Sequence, residues 1–368
     1  RGALLAALAM AVVATGCGGD DAATADTSST TTAAPTTTTS STTPTTAPTT
    51  TTTIATTTTE VDLGPRYPLT GEPIGDAEPP ENPALVMKIS NNNTDSRRAL
   101  IGLDHADIIF EERIESNATR FAAVFHSEVP EEIGPVRSAR TSDIDIVANL
   151  NNPIFGYSGS NQGVAAQLRT ADGQGLLRRV TAETGASPFY RDRDFSAPDN
   201  MMVGGPEMLE QAPDDAAGPE PVFDHSDTVV DLGAPSAGVE ISARSAASYV
   251  WSEPDGGYLR YQSGTPHVTQ DGVHITPANV VVLTTTYLPS KIDRSSVDAQ
   301  TIGSGPVVVY SRGYRVEGTW TRAVQRDAYT LTTPDGQTIG LAPGQTWVSL
   351  TPGGSASELS QAEADALR

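Results

Sequence analysis

The chain has 368 residues, only 5% of them aromatic, and sets 23 Lys+Arg against 45 Asp+Glu for a formal charge of −22 at pH 7. That balance excludes a general nucleic-acid surface, which needs a basic face to neutralise phosphates, while the length accommodates about two core-forming domains. A single cysteine, Cys17, excludes intrachain disulfides and thiolate metal clusters.

In chain order, residues 2–16 are an Ala/Leu/Val run behind Arg1 that ends in Ala14-Thr-Gly-Cys17 and is too short for a mature membrane span. The run is similar to a bacterial lipoprotein signal peptide over residues 1–16, with Ala14 standing where Leu is commonest. The expectation is lipidation at Cys17 and anchorage on the outer face of the bacterial cytoplasmic membrane, which more than one acyl chain makes lasting. Residues 17–82 follow as a Thr/Pro-rich tether with too few large apolar side chains to offset ordering entropy.

From residue 83 to 211 the pattern predicts an α/β (or α+β) domain. Ala84 to Ser90 reads as a strand. In Ala106 to Glu115, period-two alternation puts Ile108, Phe110 and Ile114 on one face and Asp107, Glu111, Arg113 and Glu115 on the other. Arg120 to His126 returns as a hairpin partner; a turn centred on Asn117 and Ala118 would set Glu115 opposite Arg120. Ser142 and Asp145 have the spacing of a capping box, Pro153 to Ser158 reads as a strand, and Gln162 to Thr170 as a helix burying Val164, Ala165 and Leu168. A short helix is expected near Glu207 to Gln211. Residues 212–234 form an acidic, Pro-rich linker, residues 235–352 an all-β domain of short Val-, Thr- and Tyr-rich runs, and residues 353–368 a frayed tail or marginal helix.

The stretch Ile133-Gly-Pro-Val-Arg-Ser-Ala-Arg140 places Arg137 and Arg140 between an apolar run and a helix start. With Ser138 and Arg120 it reads as an anion-binding corner, because guanidinium forks and free N–H groups would converge there. The competing reading is an ion-pair network with Glu111, Glu115 or Asp143. Gly156-Tyr-Ser158-Gly-Ser160 lacks the closing glycine of a nucleophile elbow. His267, Asp271 and His274 have a spacing open to zinc, yet they fall where polar surface residues are expected. His105 and His126 are expected to be hydrogen-bonded groups at strand ends.

Gly102-Leu-Asp-His-Ala-Asp107-Ile-Ile-Phe-Glu111, Thr119-Arg120-Phe121, the Ile133 to Arg140 stretch, Phe195-Ser-Ala-Pro198 with Asn200, Gly318-Thr-Trp320 and Leu341-Ala-Pro-Gly-Gln-Thr-Trp347 occur in that order. Together they resemble the YerB-like lipoproteins, the DUF3048 family, over residues 83–352. One departure is that Pro266-His267 is followed by Val-Thr, with Asp271 only later, where the family often has an Asp soon after the pair. The resemblance implies a two-domain, membrane-anchored extracytoplasmic protein without a settled activity. The function expected is binding or scaffolding of a cell-envelope component at an anion site comprising Arg120, Arg137, Ser138, Arg140, Asp107, Glu111 and Glu115, without a cofactor. The alternative, by fold-level analogy to LytR-CpsA-Psr phosphotransferases, is an enzyme on lipid-linked envelope polymers. There Asp107 or Glu111 would help hold a magnesium ion and the arginines would bind a diphosphate.

Overall fold

The computed structural model describes residues 64–368 apart from residues 79, 185–187 and 228–232. Cys17 and the Thr-rich segment lie outside the described residues. The folded unit starts before residue 83, because Leu69 is buried in the core and the carbonyl of Thr70 accepts the Gly344 N–H at 2.9 Å.

The apolar run Leu85-Val-Met-Lys-Ile-Ser90 is buried at all six positions, which requires cover on both faces of its sheet. Ten strands supply that sheet: β1 (Leu85–Ser90), β2 (Ile108–Arg113), β3 (Thr119–Phe125), β4 (Ile154–Tyr157), β5 (Arg178–Thr181), β6 (Asn279–Thr284), β7 (Gly303–Ser311), β8 (Tyr314–Arg322), β9 (Thr330–Thr332) and β10 (Thr346–Thr351). Their spatial order is β9-β8-β7-β6-β10-β2-β3-β1-β4-β5, with Ala234–Pro235 as an eleventh strand beside β8. β10 lies between β6 and β2 and runs parallel to both. The first half of the sequence thus supplies β1 to β5 on one side of the sheet and the second half β6 to β10 on the other, and the two sets meet where β2 pairs with β10. β1, β4 and β5 are parallel, so their carboxyl ends open on one edge.

Alternation sorts the core into two layers. Val86, Ile108, Phe110, Ala122, Val124 and Phe155 pack with the helices over Ser142–Val147 and Gln162–Gly173, whereas Met87, Ile109, Phe121, Ala123, Val280 and Trp347 face a second, five-stranded sheet. That second sheet runs in the order Thr265–Pro266, Gly257–Gln262, Ala247–Ser252, Gly238–Ile241 and Ala356–Glu358. The helices are α1 (Thr94–Arg98), α2 (Ser142–Val147), α3 (Gln162–Gly173), α4 (Gly205–Leu209) and α5 (Gln361–Leu367). In α3, Asn161 caps the first turn by accepting the Val164 N–H at 2.9 Å, and Val164, Leu168 and Ala171 share the buried face.

Several local expectations change. The hairpin between β2 and β3 uses Ser116 (φ 57°) and Asn117 (φ 59°) as its left-handed pair, one residue earlier than expected. Ile114 N–H bonds Ala118 at 2.8 Å to close the turn, so Arg120 lies opposite Glu112 and Glu115 leaves the ladder. No side chain caps α2 in the expected manner. Ser142 Oγ instead accepts the Ala299 N–H at 2.9 Å, and Asp143 accepts the Arg140 N–H at 2.6 Å. The segment expected to be a linker buries Val222 and Phe223, whose ring stacks on Tyr329 at 5.4 Å. The tail is ordered by Ala356–Glu358 pairing with Gly238–Ile241, and by a Ser360/Glu363 capping box that starts α5.

Candidate functional site

Residues 135–139 thread between the carboxyl ends of β1 and β4. Ser90 N–H bonds the Pro135 carbonyl at 2.9 Å and Arg137 N–H bonds that of Lys88 at 2.7 Å; Ser158 N–H then reaches Arg137 and Ala139 N–H reaches Gly159, each at 3.0 Å. The backbone groups of this segment are thereby committed to the sheet, and α2 begins immediately after it. Ligand sites in open α/β sheets favour this edge, outside the strand carboxyl ends.

Three guanidinium groups meet there. Arg140 pairs with Glu115: a terminal nitrogen donates to Oε2 at 2.8 Å, and Nε lies 2.7 Å from Oε1 as an ion pair without hydrogen-bond geometry. Burial works against the Glu115 charge, but the hydrogen bond and charge of Arg140, with Arg120 beyond, outweigh it and lower its pKa. Arg137 donates to the Pro198 carbonyl at 3.4 Å and has Asp199 at 3.9 Å. Arg120 is different. It is 4% exposed, donates once to the Ser138 carbonyl at 2.8 Å, and, as in Arg137 and Arg140, its Nε is buried without a hydrogen-bond partner. Among the described residues no carboxylate lies within ion-pair distance of it. Burial, then repulsion from Arg140 and Arg137, pulls its pKa down to about 9, so it stays charged at neutral pH. Ser160 Oγ, next to Gly159, is likewise buried without a partner.

Behind the arginines is a buried triad of which the sequence singled out only Asp143. Lys88 pairs with Glu112 and, at 2.6 Å, with Asp143, while Asp143 also accepts the Arg140 N–H. Glu112 is fully buried with Oε2 unpartnered. Desolvation raises its pKa to about 7 against the pull of Lys88, with Asp143 adding to the rise. Beyond Arg140, Thr141 opens a cleft of about 420 Å³ lined by Asp145, Gln167, Lys291, Asp298 and Gln325 among others.

The structure therefore brings together Arg120, Arg137, Ser138, Arg140 and Glu115. It does not bring Asp107 or Glu111 to them. Asp107 precedes β2, about 20 Å along the strand from its carboxyl end, and binds the Ser127 N–H at 3.0 Å and the Ser127 hydroxyl. Burial raises its pKa to about 6. Glu111 points to the opposite face from Glu112, into a box around Arg260. Its Oε2 accepts from Trp347 at 3.0 Å, Tyr249 at 3.2 Å and Arg260 at 3.2 Å, and its Oε1 from Thr119 at 2.7 Å. Arg260 is fully buried, lies 4.4 Å from the Trp347 ring centroid, and donates to Gln262 at 2.7 Å and to His267 Nδ1.

His267 is thus an interior group rather than a surface one. Burial and the Arg260 charge push its pKa well below the ordinary value, leaving a neutral imidazole whose Nδ1 accepts. His274 Nε2 sits 2.7 Å from the Arg260 carbonyl. His126 is buried with Nε2 3.2 Å from the Pro80 carbonyl, whereas His105 pairs with Glu128 at 2.9 Å in a single 3-10 turn. Among the described residues, no group of three or more His, Cys, Asp or Glu is arranged to hold a metal ion, and no helix is long and apolar enough to cross a membrane.

Comparison with known proteins places this architecture. The family model described as "Protein of unknown function (DUF3048) N-terminal domain" matches residues 69–218, and its C-terminal counterpart matches residues 237–348. YerB, a candidate lipoprotein of Bacillus subtilis (strain 168), is 25% identical over 317 residues, which is 81% of this chain and 89% of that protein. The crystal structure of YerB protein from Bacillus subtilis superposes with a TM-score of 0.68 at 22% identity, covering 81% of this chain and 100% of that one. With both family models matched in order and the fold shared, the chain belongs to the DUF3048 family of YerB-like lipoproteins.

Proposed function

We propose that the protein is a lipid-anchored, extracytoplasmic factor that binds or scaffolds a cell-envelope component through an anionic group, phosphate or carboxylate, held by Arg120, Arg137 and Arg140. The observation that carries this reading is Arg120: a buried guanidinium within electrostatic reach of two others, with an unpartnered Nε and no carboxylate of its own among the described residues. A buried cationic donor left unpaired is costly, and an incoming oxyanion removes that cost. The adjoining cleft leaves room for the rest of a ligand held by its anionic end. Lipid anchorage is supported by the Cys17 motif and by the YerB relative's description.

The test is calorimetric titration of the purified protein with pyrophosphate and, separately, with citrate. Saturable binding that weakens with added salt is expected for at least one of them. Arg120→Gln is expected to lower that affinity about tenfold to a hundredfold, the range of a charge-assisted hydrogen bond, with the thermal melt still cooperative. Absence of binding, or equal affinity in the variant, overturns the reading.

A further inference from the structure

Glu112 and Arg120 are direct partners across β2 and β3, so their side chains leave the sheet on the same face. Lys88 on β1 belongs to that face too, two residues before Ser90, which is itself the cross-strand partner of Arg120. Both Glu112 and Arg120 are buried, and each keeps one polar atom without a partner, Oε2 and Nε respectively. They form no ion pair with each other, although each lies within the electrostatic reach of the other. The carboxylate of Asp143 joins the two groups of charges, since Lys88 binds its Oδ1 and the Arg140 N–H binds its Oδ2.

We infer that anion binding at the arginine corner is linked to protonation of Glu112, so that the corner takes up a proton as it takes up its ligand. This inference rests on the corner being an anion site. Four cations, Lys88, Arg120, Arg137 and Arg140, stand against four carboxylates, Glu112, Glu115, Asp143 and Asp199. A proton on Glu112 leaves four against three, a net positive charge beside an incoming oxyanion. The charged and titratable groups facing Glu112 are Lys88 from β1, Arg120 from β3, Asp143 from α2 and the Tyr287 hydroxyl from the segment after β6. Arg120 keeps its charge at neutral pH and Tyr287 stays neutral, its pKa raised by burial. Burial raises the Glu112 pKa to about 7.

A bound anion adds negative charge and raises the Glu112 pKa further. By linkage, affinity is highest below about pH 7 and falls as pH rises through the free and then the bound pKa. A single charge acting across a partly buried site is worth about tenfold in affinity. Tenfold linkage corresponds to uptake of about half a proton per anion near pH 7.5. Sulfate is the suitable probe because it stays fully ionised across this range.

Titrating the protein with sulfate at pH 7.5 in two buffers of different ionisation enthalpy measures the uptake directly. The expected result is about half a proton gained per sulfate and roughly tenfold tighter binding at pH 6 than at pH 8.5. In Glu112→Gln, checked for a cooperative melt, both effects vanish. Sulfate binding with no proton uptake in the unaltered protein, or uptake that persists in Glu112→Gln, overturns the linkage and leaves the corner standing. Failure of sulfate, pyrophosphate and citrate alike to bind overturns the corner and the linkage together.

Discussion

Glu111→Leu is expected to lower the folding free energy by about 3–5 kcal/mol, read as a shift of the urea midpoint at unchanged slope. Arg260 has no exposed surface, and the Glu111 carboxylate is the negative charge bound to it. Burial alone would push the Arg260 pKa down, but the contacts with Tyr249 and Glu111 outweigh that and hold it above the ordinary value. Removing Glu111 leaves a desolvated guanidinium, strands the Trp347 N–H, takes the acceptor from the Tyr249 O–H, whose oxygen keeps only the bond from Arg260, and opens the hydrogen bond to Thr119. The stacking of Arg260 on Trp347, Tyr249 and Phe121 survives, yet its worth of about 2 kcal/mol does not replace a counter-charge. The double variant Glu111→Leu with Arg260→Met is expected to recover most of the loss, because a buried pair replaced by apolar groups of similar volume is often near neutral. Because Glu111 comes from the first half of the chain and Arg260 from the second, the box ties together the segments matched by the two family models. A cost below 1 kcal/mol for Glu111→Leu would show that water reaches Arg260 in solution.

Lys88→Met is expected to cost a similar amount, about 3–5 kcal/mol, and to do so unequally with pH. The substitution keeps the apolar stem but removes the one cation that pairs directly with both buried carboxylates, Glu112 and Asp143. The sign follows from Glu112. Its pKa of about 7 in the fold is above the ordinary 4.5, so its favourable contribution is complete below about 4.5 and is lost as pH rises through about 7. Removing Lys88, which pulls that pKa down, pushes it higher still. Denaturation of the variant is therefore expected to show a larger deficit at pH 8 than at pH 5.5. An equal deficit at both would place the lost stability in packing rather than in charge.

Much of this was legible in the sequence, in a particular way. The alternation in Asp107 to Glu115 sorted Ile108 and Phe110 to one face and Glu111 to the other, as observed, but a polar face reads as a wet one. Here the second sheet covers it, and Glu111 finds Arg260 at a separation of 149 residues, which no local pattern encodes. The same limit hid β10. Thr346 to Leu350 reads as a strand, but periodicity says nothing about which strand lies beside it. Its parallel place between β6 and β2 comes from a non-local pairing. Lys88 did carry a signal, a lone cation inside Leu85-Val-Met-Lys-Ile-Ser90, and so did Arg260 within Tyr258-Leu-Arg-Tyr261. Both were absorbed into strand patterns. The expected corner placed Arg137, Arg140 and Arg120 together, and Glu115 reached Arg140 through a turn one residue different from the expected one.

The most direct test of the anion corner is crystallographic. Crystals of the protein soaked in tungstate, a tetrahedral oxyanion with strong anomalous scattering, are expected to show an anomalous peak within hydrogen-bond reach of Arg120 Nε and the Arg137 guanidinium. A map with no peak there, and a carboxylate side chain closed onto Arg120 instead, would contradict the site and make the three arginines a structural ion-pair network.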